Sequence, residues 1–252
     1  MLYCERGLGD TLQFYRYAKS VRELGAIVLL QVQEPLVELL ALESASQVLP
    51  DTQLPPPFDV HCPLLSLPLA LKIELTTIPA GKYLSAPPAK IARRRAKLGE
   101  TVKPRIGLVW RGDPGNPVDS RRSVALSQLL PYLPAGFHYF SLQKELSESE
   151  QRSIAAHPDD FSLEQELNFV ETAALCECLD LVISVDTSIA HLSAALGQKT
   201  WILLPFNPDC RWLLDRNDSP WYPSATLYRQ ARSGDWHGAL TRVAGDLNRE
   251  FV

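Results

Sequence analysis

The stretch Asp180-Leu-Val-Ile-Ser-Val-Asp-Thr-Ser-Ile-Ala-His-Leu-Ser-Ala-Ala-Leu-Gly197 constrains this chain more than any other. Leu181 to Val185 is a short apolar run of the kind that forms a buried strand. It ends in polar Asp186-Thr187-Ser188, and an apolar-periodic segment then runs to Gly197. Thr187 or Ser188 can cap that helix, and Gly197 suits the position just past its end. The first helical turn would present unpaired N–H groups and a positive dipole end beyond a strand's carboxyl end. Open α/β sheets hold anionic ligands at that place. A second polar strand-to-helix turn, Glu5-Arg-Gly-Leu-Gly-Asp-Thr11, lies near the start of the chain. Two such turns, far apart, predict an α/β protein with two Rossmann-like α/β/α halves facing a shared cleft.

The 252 residues are enough for one large domain or two of ordinary size. Met1–Cys4 reads as a strand, and a helix follows from about Asp10 to Leu24, stopping at Gly25. Next come a strand at Ala26–Val32 and a Pro-started helix at Glu34–Leu42. This βαβα alternation implies a parallel sheet. Residues 50–68 are Pro-rich around a short strand, Phe58–Cys62, and Ala89–Leu98 reads as a helix. A second unit begins near Lys103-Pro104 with the strand Arg105–Trp110. It continues with a helix near Leu126–Leu133, a strand at Phe137–Leu142, and helices near Glu148–Ala156 and Val170–Leu179. After the Asp180–Gly197 unit come strands Thr200–Leu204 and Ala225–Tyr228 and a last helix, Trp236–Phe251. The expected division is an N-terminal half over 1–100, a C-terminal half over 101–235, and a final helix over 236–252 that crosses back to the first half. A chain that opens inside a core strand also suggests a module that follows another domain.

Hydrophobic content of 46% and charged content of 21% fit an ordinary soluble globular protein. A net charge of −4 argues against a general nucleic-acid binder. The one strong basic run, Arg93-Arg94-Arg95, reads as a solvated helix face rather than an RNA site. The five cysteines are odd in number and scattered, which fits reduced thiols in the cytoplasm. The first twenty residues carry too many charges for a signal peptide, and no apolar run is long enough to span a bilayer. The histidines share no metal-ligand spacing, and no D-x-D or G-x-S-x-G occurs.

Three clusters could carry chemistry. In the first, Gly7 and Gly9 permit a tight turn and close approach of a ligand, and Asp10 stands at a helix start. Asp10 either caps that helix or acts as a general base toward a substrate hydroxyl. Leu12 occupies the place of the third glycine of a dinucleotide fingerprint, which disfavours a nicotinamide dehydrogenase. The second cluster is the long polar turn from Arg111 to Ser123. There Gly112 and its neighbours expose backbone N–H groups, and Arg111, Arg121 and Arg122 offer phosphate donors, although a solvated loop would contain the same residues. The third is Asp186, Thr187, Ser188 and His191, with His191 one helical turn beyond Thr187. It reads either as a diphosphate seat or as a capped helix carrying a core or surface histidine. Gln143 and Lys144 end a strand at the same sheet edge and can touch a nucleotide, or Lys144 is plain surface. Trp212, Trp221, Tyr222, Tyr228 and Trp236 read as packing between domain and last helix.

These clusters, in this order, resemble the heptosyltransferase-like glycosyltransferases of the GT-B fold. The likeness is closer still to the glycosyltransferase domain that follows tetratricopeptide repeats in bacterial proteins. The residues that carry it are Glu5–Phe14, Phe58–Pro68, Gly107–Gly112, Arg121–Ser123, Asp180–Gly197, Pro205–Trp212 and Asp218–Pro223. Cys210 departs from the pattern, standing where the repeat-linked domains carry an aromatic residue. The resemblance implies a nucleotide-diphosphate sugar as donor, held by the C-terminal half, and an acceptor (glycan, lipid or protein) facing the N-terminal half. By the same resemblance Asp10 is the base, and Asp186 and His191 contact donor sugar and diphosphate. Arg122 offsets the leaving group, and an upstream repeat domain is a partner. Gly9, Arg111, Gly112, Gln143, Lys144, Thr187 and Ser188 complete the expected donor site. The expected reaction is an in-line displacement that inverts the anomeric centre, with no metal and no other cofactor. The competing readings are a catalytically silent nucleotide-sugar-binding module of a larger repeat protein, a sugar-nucleotide epimerase, and an interaction scaffold.

Overall fold

The computed structural model describes residues 1–43, 47–113, 115, 119–157, 160–164 and 167–251. In the first half the elements are β1 (Leu2–Tyr3), α1 (Leu8–Phe14), α2 (Tyr17–Glu23), β2 (Leu29–Val32), α3 (Glu34–Glu43), β3 (Gln47–Pro50), β4 (Cys62–Pro63) and α4 (Leu67–Ala70). The connecting helix is α5 (Pro88–Leu98). The second half opens with β5 (Arg105–Val109), α6 (Asp119–Arg122), α7 (Leu126–Leu129), β6 (His138–Ser141), α8 (Glu148–Ala155) and β7 (Asp160–Leu163). It closes with α9 (Phe169–Cys176), β8 (Leu181–Val185), α10 (Ser188–Ala195), β9 (Thr200–Leu204), β10 (Ala225–Arg229) and α11 (His237–Phe251).

Two separate parallel sheets form, ordered β3-β2-β1-β4 and β10-β9-β8-β5-β6-β7. Every strand pair described is parallel. Strands β8 and β9 are buried along their whole length, because helices cover both faces of a parallel sheet. The order of each sheet fixes where a ligand can bind. In the second sheet β5 lies between β6 and β8, so the chain leaves adjacent strands in opposite directions at their carboxyl ends. The turns after β5 and β8 diverge there and open a crevice. In the first sheet the same reversal falls between β1 and β4, which puts the Glu5–Asp10 turn at its crevice.

The halves are held by helix packing. Helix α1 lies on α10 and α3 on α9, and one apolar core runs from Leu12, Leu36 and Leu40 through to Ala173, Ala190 and Leu192. The segment before α5 adds backbone bonds, with Tyr83 and Leu84 both donating to the Ala195 carbonyl at the far end of α10. Gly197, at φ +73°, takes the left-handed conformation just past α10, as its position in the sequence predicts.

Several expectations need correction. The helix expected over Asp10–Leu24 is two helices, interrupted at Tyr15–Arg16, and it starts earlier, with Gly7 at the N-cap. The β3 and β7 strands are absent from the sequence reading; β7 presents no fully buried residue, so it carries no apolar run to signal it. The last helix does not cross back. Its stripe Ala239, Leu240, Val243 and Leu247 is buried on the second sheet with Leu108, Ile183 and Trp201, the nearest apolar face of matching width. Helix α5, expected in the first half, docks on α9 of the second. Its basic run is only in part the solvated face expected, because Arg93 and Arg95 are exposed and Arg94 is not. Arg94 is buried between Glu164 and Glu171, and Arg93 and Lys90 also bind Glu171. The Lys90 hydrogen bond leads over burial and holds the Glu171 carboxyl down at about 2. The five cysteines are free thiols, and burial pushes Cys176 up to about 12. Among the described residues no helix is long and apolar enough to cross a membrane.

Candidate functional site

A cleft of about 1040 Å³ opens between the carboxyl edges of the two sheets. Its lining includes Gly9, Asp10, Arg111, Gly112, Arg122, Gln143, Lys144, Asp186, Thr187, Ser188 and His191, so every residue singled out for the base and the donor site reaches one cavity. Their local states differ, and those states decide what each can do.

The turn after β8 is open. Thr187 occupies the N-cap position of α10, yet no side chain caps that helix. The Thr187 hydroxyl turns inward and pairs with Ser184 Oγ at 3.0 Å. The first-turn amides of α10, and the positive end of its dipole, therefore face the cleft without a side-chain acceptor. Asp186 stands beside them. Burial raises its carboxyl above the usual range, while the Trp212 indole and the Arg211 and Arg122 guanidiniums pull the other way. An anion on the amides and a carboxylate next to it fit a ligand with two chemistries: phosphate oxygens and sugar hydroxyls.

His191 lies beneath this turn, 2% exposed. Its ring stacks on Trp212, with centroids 5.4 Å apart, and its Nδ1 meets the Tyr222 hydroxyl at 2.8 Å. Nε2 faces Asp186 Oδ1 at 3.7 Å. Burial drives its pKa well below 6.5, and Arg211 and Arg16 push the same way, so it faces Asp186 as a neutral imidazole rather than as an ion-pair partner. Gly9 lies against this ring: a Cβ there would come within 2.8 Å of His191 Cδ2. The glycine at this position is what lets the first half's turn close on the second half's histidine.

The turn after β1 is closed. Asp10 sits at the third helical position, not at the N-cap. Its Oδ2 accepts the Gly7 N–H at 3.0 Å, and its Oδ1 receives Arg211 Nη2 at 2.5 Å. Asp10 thus braces its own helix from the third position and also lines the cleft. Arg211 spans the halves, donating to Asp10 and Gln13 of the first and to Asp209 of the second. Burial raises the Asp209 carboxyl, but hydrogen bonds from Arg211 outweigh it and hold it at about 2.

The turn after β5 differs most from expectation. Residues 114 and 116–118 of this loop lie outside the described residues. The amides of Gly112 and Gly115 are not open to a phosphate, because Gly112 donates to Ser123 Oγ and Gly115 to Asp113 Oδ1. Arg111 is committed to Glu150. Burial raises that carboxyl, but bonds from Arg111, Trp110 and Ser147 hold it at about 2. Arg122 binds Asp119 and the Asp186 carbonyl, so it braces the turn after β8 from behind. The Gln143 side-chain oxygen, Oε1, accepts the Arg111 backbone N–H, and Lys144 is exposed at the cleft wall.

Asp209 and Arg211 line the cleft and were passed over in the sequence reading, whereas Trp212 and Tyr222, read as packing, are buried core residues that touch His191. A signal existed: Asp209 and Arg211 follow β9 at the same carboxyl edge as the other clusters. Trp236 and Tyr228 do pack as expected, on the second sheet. Among the described residues no cluster of three or more His, Cys, Asp or Glu side chains is arranged to hold a metal.

Residues 139–203 match the family model of glycosyltransferase family 9 (heptosyltransferase). That span contains Gln143, Lys144 and the whole Asp186–His191 turn. The chain is 26% identical over 179 residues to protein FlbA of Caulobacter vibrioides; the match covers 68% of this chain and 29% of FlbA, so the chain spans less than a third of that relative. Among solved structures it is similar to the glycosyl transferase family 9 protein of Veillonella parvula, with a TM-score of 0.68, 10% identity, and coverage of 99% of this chain and 96% of the other. Similar too is the E. coli heptosyltransferase WaaC with ADP, with a TM-score of 0.65, 11% identity and 100% of both chains covered. The iron-containing dodecameric glycosyltransferase TibC of E. coli aligns at a TM-score of 0.62 and 12% identity, over 99% of this chain and 75% of that one. The fold is that of the GT-B glycosyltransferases.

Proposed function

We propose that this chain transfers a sugar from a nucleotide-diphosphate donor to an acceptor hydroxyl, with inversion and without a metal. The observation that carries the reading is the uncapped first turn of α10, open to the cleft beside Asp186. The donor diphosphate would sit on those amides, and Asp186 would accept a sugar hydroxyl. Gln143 and Lys144 face the nucleotide end of the same cleft.

In the mechanism this supports, Asp10 takes the proton of the acceptor hydroxyl as its oxygen attacks the anomeric carbon opposite the diphosphate. Arg211 Nη2 occupies Asp10 Oδ1, so Arg211 has to release that oxygen before it can take a proton. An arriving diphosphate competes for that guanidinium, and the transfer of Arg211 to it would free the base while offsetting the charge of the leaving group. Helix amides and Arg211 together replace the role a divalent ion plays at other diphosphate sites; loss of turnover on adding a chelator, restored by Mg²⁺ or Mn²⁺, would overturn this part. The acceptor (glycan, lipid or protein) enters from the first half. Segments of a longer protein, such as tetratricopeptide repeats, would help select it. Five free thiols favour the cytoplasm as the place of action.

A thermal-shift screen against ADP, UDP, GDP, CDP and their sugars tests the donor site. Ligand at about one hundred times its Kd stabilises by ~2.7 kcal/mol. One nucleotide should shift the transition, and its sugar should be consumed with release of the nucleoside diphosphate. Binding without release would instead mark a silent module, and no binding at all a scaffold.

A further inference from the structure

The environment of His191 allows its proton to be placed by elimination, taking the donor-site reading above as its basis. The Tyr83 hydroxyl lies 2.9 Å from the Leu12 carbonyl, which can only accept, so the Tyr83 proton goes there. Tyr83 in turn accepts from Arg16 Nη2 at 3.1 Å. Arg16 can only donate to the Tyr222 hydroxyl, which leaves two acceptors for the Tyr222 proton, His191 Nδ1 at 2.8 Å and Tyr83 Oη at 3.4 Å, and the shorter is the stronger hydrogen bond. Burial raises the Tyr222 hydroxyl well above its ordinary pKa, so it keeps a proton to give. On the far side of the ring, a lone pair on Nε2 would face Asp186 Oδ1 with repulsion, whereas an N–H faces it with attraction. The guanidinium of Arg16 lies 4.6 Å from the Tyr222 ring centre and 4.5 Å from that of Tyr83, a fixed positive charge that disfavours a second proton on the imidazole.

We propose that Tyr222 is a positioning residue: its hydroxyl donates to His191 Nδ1 and so holds the imidazole as the Nε2–H tautomer, aimed at Asp186 and the sugar-diphosphate side of the cleft. The joint between the halves thereby sets the chemistry of the donor seat. Tyr222 sits on the loop before β10, Tyr83 precedes α5, and Arg16 joins α1 to α2. The chain Arg16–Tyr222–His191–Asp186 runs from the joint to the cleft, and of its members only His191 and Asp186 line that cleft.

Long-range ¹H–¹⁵N spectra of protein labelled at its five histidines, taken near neutral pH without ligand, read the tautomer directly. One histidine should show a protonated Nε2 and a hydrogen-bonded, unprotonated Nδ1. In Tyr222→Phe that Nδ1 resonance should move toward the free-imine position, and donor binding should weaken about tenfold, the upper range for one lost hydrogen bond. If every histidine of the wild-type protein that resists protonation carries its proton on Nδ1, the proposal is wrong; a protonated Asp186 donating to Nε2 would give that result. It is equally wrong if Tyr222→Phe leaves all histidine signals in place. Because the spectrum needs no ligand, failure of nucleotide binding would count against the donor reading and leave the tautomer result standing.

Discussion

The two acid-bearing strand-to-helix turns look alike in their place in the fold and end in different states. In the turn after β1, Asp10 braces its own helix through Gly7 and is held by Arg211 across the cleft. In the turn after β8, the hydroxyl that could cap α10 points inward to Ser184, and Asp186 stands over a neutral, buried His191. Neither helix start has a side-chain cap, so the two turns differ in which side chain is committed: the acid in the first, the hydroxyl in the second. A strand-to-helix turn at a sheet's switch point is therefore not defined by position alone; the partners of its acid and hydroxyl set what it can offer a ligand.

The comparison breaks most visibly at the base. Asp10→Asn should lower turnover by about 10²- to 10⁴-fold, the range for losing a general base, while donor affinity stays within a few-fold. A parallel loss of affinity would mean that Asp10 belongs to the donor seat after all. Gly9→Ala probes the contact between the turns. A methyl there meets His191 Cδ2 at 2.8 Å, so unfolding free energy should drop by ~1–3 kcal/mol, read by urea denaturation. An unchanged midpoint would show that the halves do not meet as described.

Ser188→Pro sharpens the contrast on the other side. Proline suits the first helical position and Thr187 is already extended, so folding should be kept while one amide of the seat is removed. Nucleoside diphosphate binding should weaken about five- to tenfold, with the melting temperature of the free protein little changed.

The smallest effect is in pH. The pKa of His191 is well below 6.5 in the folded chain, so the unfolded chain binds a proton that the folded one refuses. Stability should begin to fall as pH drops below about 6.5, and His191→Asn should lack that share of the slope. His138, also lowered by burial, contributes with the same sign, which is why the difference between the two proteins is the quantity to read. Glu150 and Glu171, held at about 2, act in a separate window: their stabilisation is present above 4.5 and is lost as pH falls from there. Identical slopes between pH 6.5 and 5 would place His191 in water.

Much of this architecture was legible in local patterns. The apolar run Leu181–Val185, the polar turn and Gly197 announce a buried strand, a helix start and its end within eighteen residues. All the residues singled out for the donor site line the cleft, because each follows a strand and parallel strands deliver their carboxyl ends to one edge. What local patterns do not carry is partnership across long separations. Arg111 looks like a phosphate donor until Glu150 is placed beside it, and Gly112 looks open until Ser123 takes its amide. Arg211 lies two hundred residues from Asp10 and is read from neither. The last helix was misplaced for the same reason: its amphipathic stripe states that a face is buried, not which sheet receives it.

The central claim is that the turn after β8, and not the turn after β1, is the anion seat. Calorimetric titration of the nucleoside diphosphate selected by the thermal-shift screen, into wild-type, Ser188→Pro and Asp10→Asn proteins, tests it most directly. Binding should be weaker in Ser188→Pro and near wild-type in Asp10→Asn. Equal affinity in wild-type and Ser188→Pro, or a loss confined to Asp10→Asn, would contradict it.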